Sequence, residues 1–209
     1  MQNGKFIVFE GIDGSGKGTI IGMAREWLAG RGIPPERILV TKEPWTSDYG
    51  KKARGILASE KNPGNRAKEL LNLYLSDRKE HLEKEILPAL AKGKIVLCDR
   101  YLYSTIAYQA AQGEEINSLV EKNSGFTKPD ICFILDLPVE DALERIEKDK
   151  KRDSKEMFEK KEFLQKARKN FLGLSKLFPG HGITIIDARG KKEETFGKIG
   201  VMLDKEKYI

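Results

Sequence analysis

The sequence is poor in the residues that build disulfide frameworks and metal centres. Its 209 residues include two cysteines, Cys98 and Cys132, and two histidines, His81 and His181. Each cysteine lies within an apolar run, as small buried thiols do, and no paired ligand spacing indicates a zinc site. This composition excludes a disulfide-rich module and argues against a zinc centre.

Long hydrophobic runs and terminal tracts of one charge are also absent. The apolar run within the first ten residues, MQNGKFIVFE, is too short for a signal peptide, and no segment reaches the length of a membrane span. The net charge is +6, but the basic residues are spread along the chain instead of forming a tail. We expect a cytoplasmic protein with an anionic partner, which composition leaves open among nucleic acid, a membrane surface and nucleoside phosphates.

Short apolar runs alternate with longer helical patterns along the chain. Strands are predicted at Lys5–Glu10, Arg37–Thr41, Lys94–Cys98, Ile131–Asp136 and Ile183–Asp187. Helices are predicted at Lys17–Arg31, Asp48–Ala58, Arg66–Lys92, Tyr101–Gln112, Val139–Lys148, Phe158–Phe178 and Glu193–Asp204. The alternation predicts one doubly wound α/β domain over residues 1–209, with a parallel sheet covered on both faces and ligands bound beyond the carboxyl ends of the strands.

The strongest local motif is GIDGSGKGT, from Gly11 to Thr19. It follows a predicted strand and opens a predicted helix, so its amides and the helix N-terminus converge on one point, as in a phosphate-binding loop. Lys17 then reaches the outer phosphates of a nucleotide, whereas a purely structural glycine turn has no need of lysine there. Gly18 stands where a hydroxyl usually binds Mg²⁺, so the metal is expected to depend on water, phosphate oxygens and nearby carboxylates.

The segment KDKKRDSK, residues 148–155, has no apolar position. It is either an exposed helix end or a basic lid that closes over bound phosphates. The lid interpretation gains weight because the chain also carries a phosphate loop.

Four further blocks in order make the chain similar to a known family. They are FEGIDGSGKGT (Phe9–Thr19), TKEP (Thr41–Pro44), YLSDR (Tyr74–Arg78) and DRYLYSTIAYQ (Asp99–Gln109), followed by PDICFILDLPVEDALERI (Pro129–Ile146). In this combination the chain resembles the thymidylate kinases, P-loop nucleoside monophosphate kinases that phosphorylate dTMP with ATP. The resemblance implies a three-layer P-loop fold with five parallel strands, a short basic lid at 148–157, a homodimer, and Mg²⁺ with ATP as donor.

The resemblance also implies roles for residues on the donor side. Catalytic roles fall on Lys17, Arg100, Arg152 and Asp13. Metal contacts, direct or through water, fall on Asp99 and Asp13. Binding of ATP falls on Gly11, Gly14, Ser15, Gly16, Lys17, Gly18, Thr19, Arg145 and Arg189. An ordinary strand-to-helix turn remains an equal interpretation for Arg189.

The acceptor side is implied in the same way. The residues expected to bind dTMP are Asp13, Glu43, Pro44, Arg54, Tyr74, Arg78, Arg100, Ser104, Thr105, Tyr108 and Gln109. The spacing of Tyr74 and Arg78 itself predicts that both lie on one helix face, where an aromatic plane and a guanidinium suit a base. By resemblance, Tyr108 disfavours a 2′-hydroxyl, and Arg100 with Arg54 binds the acceptor phosphate.

Glycine at position 14 directs the search for a catalytic cation to the lid. Some members of the family place arginine there, whereas others have a plain loop and a basic lid. We therefore expect Arg152 to serve as the lid cation, with Lys150 and Lys151 as alternatives.

Three departures and several alternatives remain. Gly18 is one departure, and Met157-Phe-Glu159, where the family's lid usually has Arg-Phe-Glu, is another. Trp45 follows Pro44 where the family usually has glycine, and we expect it to crowd or reshape the acceptor side. The alternatives are another nucleoside monophosphate or deoxynucleoside kinase, a GTP-dependent switch suggested by Thr127-Lys-Pro-Asp130, and a nucleic-acid-binding protein suggested by the positive charge. The switch is disfavoured because its guanine-reading motif should follow a strand, whereas TKPD precedes one.

Overall fold

A five-stranded parallel sheet organises the protein. The structure is a computed structural model that describes residues 4–60, 62, 65–148 and 160–205. Its strands are β1 (Lys5–Glu10), β2 (Ile38–Lys42), β3 (Ile95–Asp99), β4 (Ile131–Asp136) and β5 (Ile183–Asp187). All pairings are parallel and the strand order is β2-β3-β1-β4-β5, so β1 lies at the centre.

Helices cover both faces of this sheet. They are α1 (Lys17–Gly30), α2 (Asp48–Ser59), α3 (Ala67–His81), α4 (Leu87–Ala91), α5 (Leu102–Ala111), α6 (Ile116–Asn123), α7 (Val139–Lys148), α8 (Lys161–Leu177) and α9 (Lys192–Lys205). A 3₁₀ turn at Pro35–Arg37 precedes β2. Helix α1 packs against α9, and α5 packs against α8. The five-stranded parallel sheet with helices on both faces confirms the predicted fold class.

The register of the central strands places the functional loops side by side. Phe9 of β1 pairs with Asp99 of β3, so the residues that follow these strands emerge at the same edge of the sheet. Every residue of β1 after Lys5 is buried, because helices cover both faces of a parallel sheet and leave no polar side for solvent. This explains why the strands appear as continuous apolar runs rather than as alternating patterns.

The structure differs from the predicted elements in several places. Strands β2 and β3 each begin and end one residue later than predicted. The predicted helix Arg66–Lys92 contains a π-helical stretch at Leu82–Ile86, just before Pro88, whose missing N–H cannot continue the α-helical hydrogen bonding. Helix α6 was not predicted, because it spans eight residues and begins at Glu115, an uncommon N-cap residue.

No helix among residues 4–60, 65–148 and 160–205 combines the length and the apolar composition that a bilayer crossing requires.

Candidate active site

The loop between β1 and α1 is shaped by its glycines. Gly11, Gly14 and Gly16 have φ angles of 136°, 78° and 95°, which a residue with a side chain rarely adopts. A Cβ at Gly14 would lie 2.4 Å from the Ala142 carbonyl oxygen, and one at Gly11 would lie 2.6 Å from that of Leu135. The backbone therefore curves tightly against α7 and β4, as the backbone of an anion-binding loop does.

Two buried polar groups of this loop point to an anionic ligand. The Nζ of Lys17 lies 3.1 Å from each of the carbonyl oxygens of Gly11 and Ile12. Burial lowers the pKa of the Lys17 ammonium, and the charge of Arg100 acts in the same direction, whereas Asp99 raises it. The Ser15 hydroxyl oxygen is buried without a hydrogen-bond partner among the described residues. Phosphate oxygens would satisfy both groups.

Arg100 joins this loop to the start of α5. It has a positive φ of 69°, the one non-glycine residue of the described chain with that conformation. Its amide donates to the Phe9 carbonyl at 2.9 Å. Its guanidinium donates to the Gly11 carbonyl at 3.2 Å, to the Asp13 carboxylate at 2.8 Å and to the Ser104 hydroxyl at 3.0 Å. A strained residue whose position is overdetermined in this way is characteristic of functional sites.

Glu10 holds the turn that carries Arg100. It is the last residue of β1, is fully buried, and accepts the amides of Tyr101 at 2.8 Å and Ser104 at 3.0 Å. The Ser104 hydroxyl also donates to it at 2.5 Å. The carboxylate thus caps α5 from another element, because the N-cap residue Tyr101 makes no side-chain cap itself. Burial raises the pKa of Glu10 to about 7.

A cavity of about 200 Å³ opens beside the loop. Its walls come from β2, α2, α3 and α5 and from the loops that follow β1, β2 and β3. The lining residues are Asp13, Lys42, Glu43, Pro44, Arg54, Leu57, Tyr74, Arg78, Arg100, Tyr101, Ser104, Thr105 and Tyr108. Arg54 donates to the carbonyls of Pro44 at 2.6 Å and Trp45 at 2.8 Å, which fixes the segment after β2.

Arg78 is the most completely held charge in this cavity. It is 1% exposed, and its Nε and Nη2 donate to Glu43 Oε2 at 2.9 and 2.7 Å. Nη2 also donates to the Thr105 hydroxyl at 2.8 Å, and Nη1 donates to Asn123 Oδ1 at 2.7 Å. The rings of Tyr101 and Phe126 lie 5.1 and 5.2 Å from its guanidinium carbon. A buried pair with such complete hydrogen bonding presents one defined polar surface to a ligand.

Tyr108 and Asp13 close the side of the cavity next to the loop. The Tyr108 hydroxyl donates to Asp13 Oδ2 at 3.0 Å, and the Arg100 guanidinium lies 5.2 Å from the Tyr108 ring centre. Burial raises the pKa of the Tyr108 phenol, so the hydroxyl keeps its proton and acts as a donor. The cavity and the phosphate loop therefore share Asp13 and Arg100.

Comparison with known proteins decides the family of this chain. The family model for thymidylate kinase matches residues 9–199. The chain is 41% identical to a probable thymidylate kinase of Pyrococcus horikoshii over 98% of each protein, and 42% identical to a thymidylate kinase of Desulfotalea psychrophila over 82% of each. The crystal structure of thymidylate kinase from Ehrlichia chaffeensis superposes with a TM-score of 0.75 at 28% identity, covering 96% of this chain and 99% of that one.

The chain belongs to the thymidylate kinase family. This confirms the resemblance found in the sequence and, with it, the prediction of an ATP-dependent nucleoside monophosphate kinase. No comparison favours a nucleotide-dependent switch or a kinase of another family.

The thymidylate kinase fold brings the predicted acceptor residues around one cavity, with one exception. Gln109 is fully buried, does not line the cavity, and its amide has no hydrogen-bond partner among the described residues. Trp45 does not line the cavity either. Its ring stacks on His81 instead, with ring centres 5.3 Å apart and planes 14° apart.

On the donor side, the carboxylates of Asp99 and Asp13 differ in how many of their oxygens accept hydrogen bonds. Asp99 Oδ1 is buried without a partner among the described residues, at the end of β3 next to Arg100. Both carboxylate oxygens of Asp13 already accept hydrogen bonds, from Arg100 and Tyr108. No group of three or more histidine, cysteine or acidic residues in the described part of the chain forms a metal cage. This donor set fits an ion that keeps several waters and phosphate oxygens, as Mg²⁺ does.

The structure describes the two arginines predicted on the adenine side, but not the predicted lid cation. The Arg145 guanidinium donates to the Ala188 carbonyl at 3.2 Å and lies 3.7 Å from where a Cβ of Gly16 would stand, so it spans from the loop to the turn after β5. Arg189 pairs with Asp187 at 2.9 and 2.8 Å on the surface. Arg152 and the rest of the predicted lid after Lys148 lie outside the described residues.

Sequence reasoning missed several residues of this site. Glu10, His81 and Asn123 contact residues that line the cavity, and Lys42, Leu57 and Tyr101 line it themselves. A sequence signal existed for Glu10, since an acidic residue that ends an otherwise apolar strand needs a partner. None existed for Asn123, which lies in the helix that was not predicted.

Proposed function

We propose that this protein transfers the γ-phosphoryl group of ATP to dTMP, giving dTDP and ADP. The observation that carries the proposal is the cavity with the buried Arg78–Glu43 pair at one end and Arg100, shared with the phosphate loop, at the other. A base read by Arg78 and Thr105 leaves the acceptor phosphate on the side of Arg100. That arrangement brings the two reacting phosphates together, which supplies much of the catalysis of phosphoryl transfer.

ATP and dTMP are bound by two sets of residues that meet at Asp13 and Arg100. The loop from Gly11 to Thr19 surrounds the ATP phosphates, with Lys17 as the cation at the transferred group. Arg145 reaches from the loop towards the adenine of ATP, and Arg189 flanks that adenine. On the acceptor side Tyr74 stacks on the base, while Arg54 and Arg100 bind the dTMP phosphate. Tyr108 and Asp13 meet the sugar, and Glu43, Pro44 and Ser104 complete the acceptor side, while Gln109 lies buried outside the cavity.

Mg²⁺ fits the donor set next to this loop. Asp99, and Asp13 through water, would hold it, with phosphate oxygens and water in place of the hydroxyl that Gly18 lacks. When bound, the ion neutralises charge on the phosphates. The orphaned Asp99 Oδ1 supports this assignment.

The basic segment 148–157 is the proposed lid, and Arg152 is its leading cation. Loss of a transition-state cation typically lowers turnover by roughly two orders of magnitude or more. We therefore expect Arg152→Ala to lower kcat on that scale while the affinity for dTMP changes little. Turnover equal to that of the wild type in steady-state kinetics with ATP and dTMP would reject Arg152 and direct the test to Lys150 and Lys151.

A panel of acceptors tests the proposed reaction. ADP release is measured with dTMP, dUMP, the ribonucleotide of thymine, UMP, CMP, AMP and thymidine at equal concentrations. One methyl group discriminates by only about 1–3 kcal/mol, so modest turnover of dUMP agrees with the proposal. Faster turnover of AMP or CMP than of dTMP contradicts it.

The alternatives lose support at specific residues. In Thr127-Lys-Pro-Asp130, the Asp130 carboxylate accepts the Phe6 amide at 2.7 Å and the Thr127 carbonyl accepts the Tyr101 hydroxyl at 2.8 Å. These contacts tie β1 and α5 together, which is a structural role and not a guanine-reading one. A nucleic-acid-binding protein would bind DNA tightly and in a salt-dependent manner without ATP, and the same protein preparation tests this directly.

We further propose a single domain over residues 1–209, a homodimer and a cytoplasmic location. The two buried free cysteines fit a reducing compartment, and the family resemblance supports the dimer. Sedimentation of the purified protein measures the oligomeric state.

A further inference from the structure

A histidine without a place in the proposed reaction lies buried behind the acceptor cavity. His81, the last residue of α3, is 0% exposed and stands three residues after Arg78. Its Nδ1 lies 3.3 Å from Glu43 Oε1, and its Nε2 lies 2.8 Å from the Thr41 hydroxyl oxygen and 3.0 Å from Glu85 Oε2. The imidazole therefore spans from β2 to the π-helical stretch, directly beneath the segment that carries Glu43.

The two oxygens of Glu43 have different partners. Oε2 accepts both hydrogen bonds from Arg78, while Oε1 faces His81. Because a carboxylate only accepts, a proton on Nδ1 makes His81 the donor of that contact, and a proton on Nε2 does the same towards Glu85. A carboxylate held at one oxygen alone can rotate about its last bond, so the contact at Oε1 fixes its plane. The plane of Glu43 in turn fixes the guanidinium of Arg78.

Trp45 fixes the imidazole itself. Its ring stacks on His81, and its amide donates to Asp77 Oδ2 at 2.6 Å, which anchors the residue at the start of the loop after Pro44. Asp77 also accepts the hydroxyl of Ser47, so the loop has two attachments to α3. The tryptophan that we expected to crowd the acceptor side instead covers the histidine behind it.

We propose that His81, held in plane by Trp45, is a positioning residue that orients Glu43 and through it Arg78 for the acceptor base. The proposal rests on the proposed function, in which Arg78 reads the base. His81 touches neither substrate nor reacting atoms. Its contribution is therefore to acceptor binding and not to the chemical step.

Two substitutions at the same position test this geometry. The amide nitrogen of asparagine reaches approximately where Nδ1 stands, and that of glutamine reaches approximately where Nε2 stands. His81→Asn thus keeps a donor for Glu43, whereas His81→Gln keeps the contacts with Thr41 and Glu85 and loses Glu43. Both lose the stacked ring, so both are expected to lower the melting temperature to a similar extent.

The expected readout is a split between KM and kcat. His81→Gln raises the KM for dTMP by about tenfold, the worth of one hydrogen bond to a charged group, and His81→Asn raises it by about threefold. In both variants kcat and the KM for ATP stay within about twofold of the wild type, because the donor side is unchanged. Calorimetric titration with dTMP in the absence of ATP should give the same order of affinities.

A purely structural role for His81 predicts equal KM values in the two variants, and that result overturns the proposal. A wild-type KM in His81→Gln overturns it as well. If His81→Gln does not fold, Trp45→Leu removes only the stacking plane and is expected to raise the KM for dTMP by about threefold. An unchanged KM for dTMP in Trp45→Leu rejects the proposed role of Trp45 in holding the His81 ring. Trp27→Phe, a substitution on α1, serves as a tryptophan control that leaves all constants unchanged.

The proposed function is tested separately, with the wild type. An enzyme that prefers another monophosphate refutes the assignment of dTMP before any variant is compared. The same two variants are then measured with the preferred acceptor, and the order of their KM values still decides the role of His81.

Discussion

The donor and acceptor sides of the cleft are built in different ways. The donor side is made of backbone, with glycines at positive φ and two buried atoms, Ser15 Oγ and Asp99 Oδ1, that have no partner among the described residues. On the acceptor side, Arg78 and Glu43 already share several hydrogen bonds with buried neighbours. The donor side leaves polar groups available for a ligand, whereas the polar groups of the acceptor side are already hydrogen-bonded to one another before a ligand binds.

This difference matches the two tasks. Phosphate groups are alike in every nucleotide, so a donor loop needs close approach and many amides more than side-chain selectivity. A base must be distinguished from other bases by a few polar groups in fixed positions, so those groups need internal support. Substitutions on the acceptor side should therefore disturb the fold together with binding, whereas donor-side effects depend on backbone geometry.

The largest expected effect is that of Arg78→Met. Removal of one partner breaks the buried ion pair and leaves the Glu43 carboxylate with His81 as its remaining partner. Breaking a buried pair in this way typically costs about 3–5 kcal/mol of the free energy of unfolding. Chemical denaturation measures this loss, and the KM for dTMP rises with it. The double variant Arg78→Met/Glu43→Gln removes the stranded charge, so it should be more stable than Arg78→Met while binding dTMP equally poorly. A double variant that is less stable than Arg78→Met contradicts this account.

Glu10, at the boundary between the two sides, should impose a pH dependence on stability. Burial raises its pKa to about 7 from the usual value of 4.5, so the folded state binds the proton more tightly than the unfolded state. The stabilisation that protonated Glu10 contributes to the folded state is therefore fully present below pH 4.5 and is lost as the pH rises through 7. The free energy of unfolding falls by up to about 3 kcal/mol over this range, on a scale of 1.36 kcal/mol per pKa unit.

Glu10→Gln removes the titrating group and should flatten the stability profile between pH 5 and pH 8, as measured by denaturant titration at intervals of one pH unit. Glu115→Gln is the matched control. The amides of Asn117 and Ser118 lower the pKa of that exposed carboxylate, so its contribution is lost only as the pH falls below 4.5. A wild-type slope that survives in Glu10→Gln would show that another group carries it.

Features of the fold and the site could be predicted from the sequence where the interacting residues are close together in the chain, and not where they are far apart. The strands and the phosphate loop depend on neighbours in sequence, so apolar runs and the GIDGSGKGT motif predict them. The partners of Arg78 lie 35, 27 and 45 residues away, at Glu43, Thr105 and Asn123. No local periodicity encodes such contacts, and the resemblance to a family supplied Glu43 and Thr105 but not Asn123. The sequence likewise showed that Trp45 departs from the family pattern, but it did not show that the Trp45 ring stacks on His81.

Gly14→Ala should disturb the donor side through the backbone alone. Position 14 has a φ of 78°, and a methyl group there would lie 2.4 Å from the Ala142 carbonyl oxygen. Strain of this kind typically costs about 1–3 kcal/mol, so we expect stability to fall by about 2 kcal/mol. The KM for ATP should rise by more than that for dTMP, because α7 and the loop are forced apart. Equal effects on both substrates would mean that the acceptor side depends on the loop as well.

Gly18→Ser is the matched donor-side substitution with the smallest expected effect. A Cβ at this position meets nothing within 4 Å, and the residue lies in the first turn of α1, so a serine fits without strain. The helix propensity of serine over glycine should raise stability by about 0.5 kcal/mol or less. The added hydroxyl restores the usual Mg²⁺ ligand, so the Mg²⁺ concentration for half-maximal activity should fall by about threefold with kcat little changed. A rise in that concentration would mean that Gly18 keeps space for the waters of the ion, and that a hydroxyl displaces one of them.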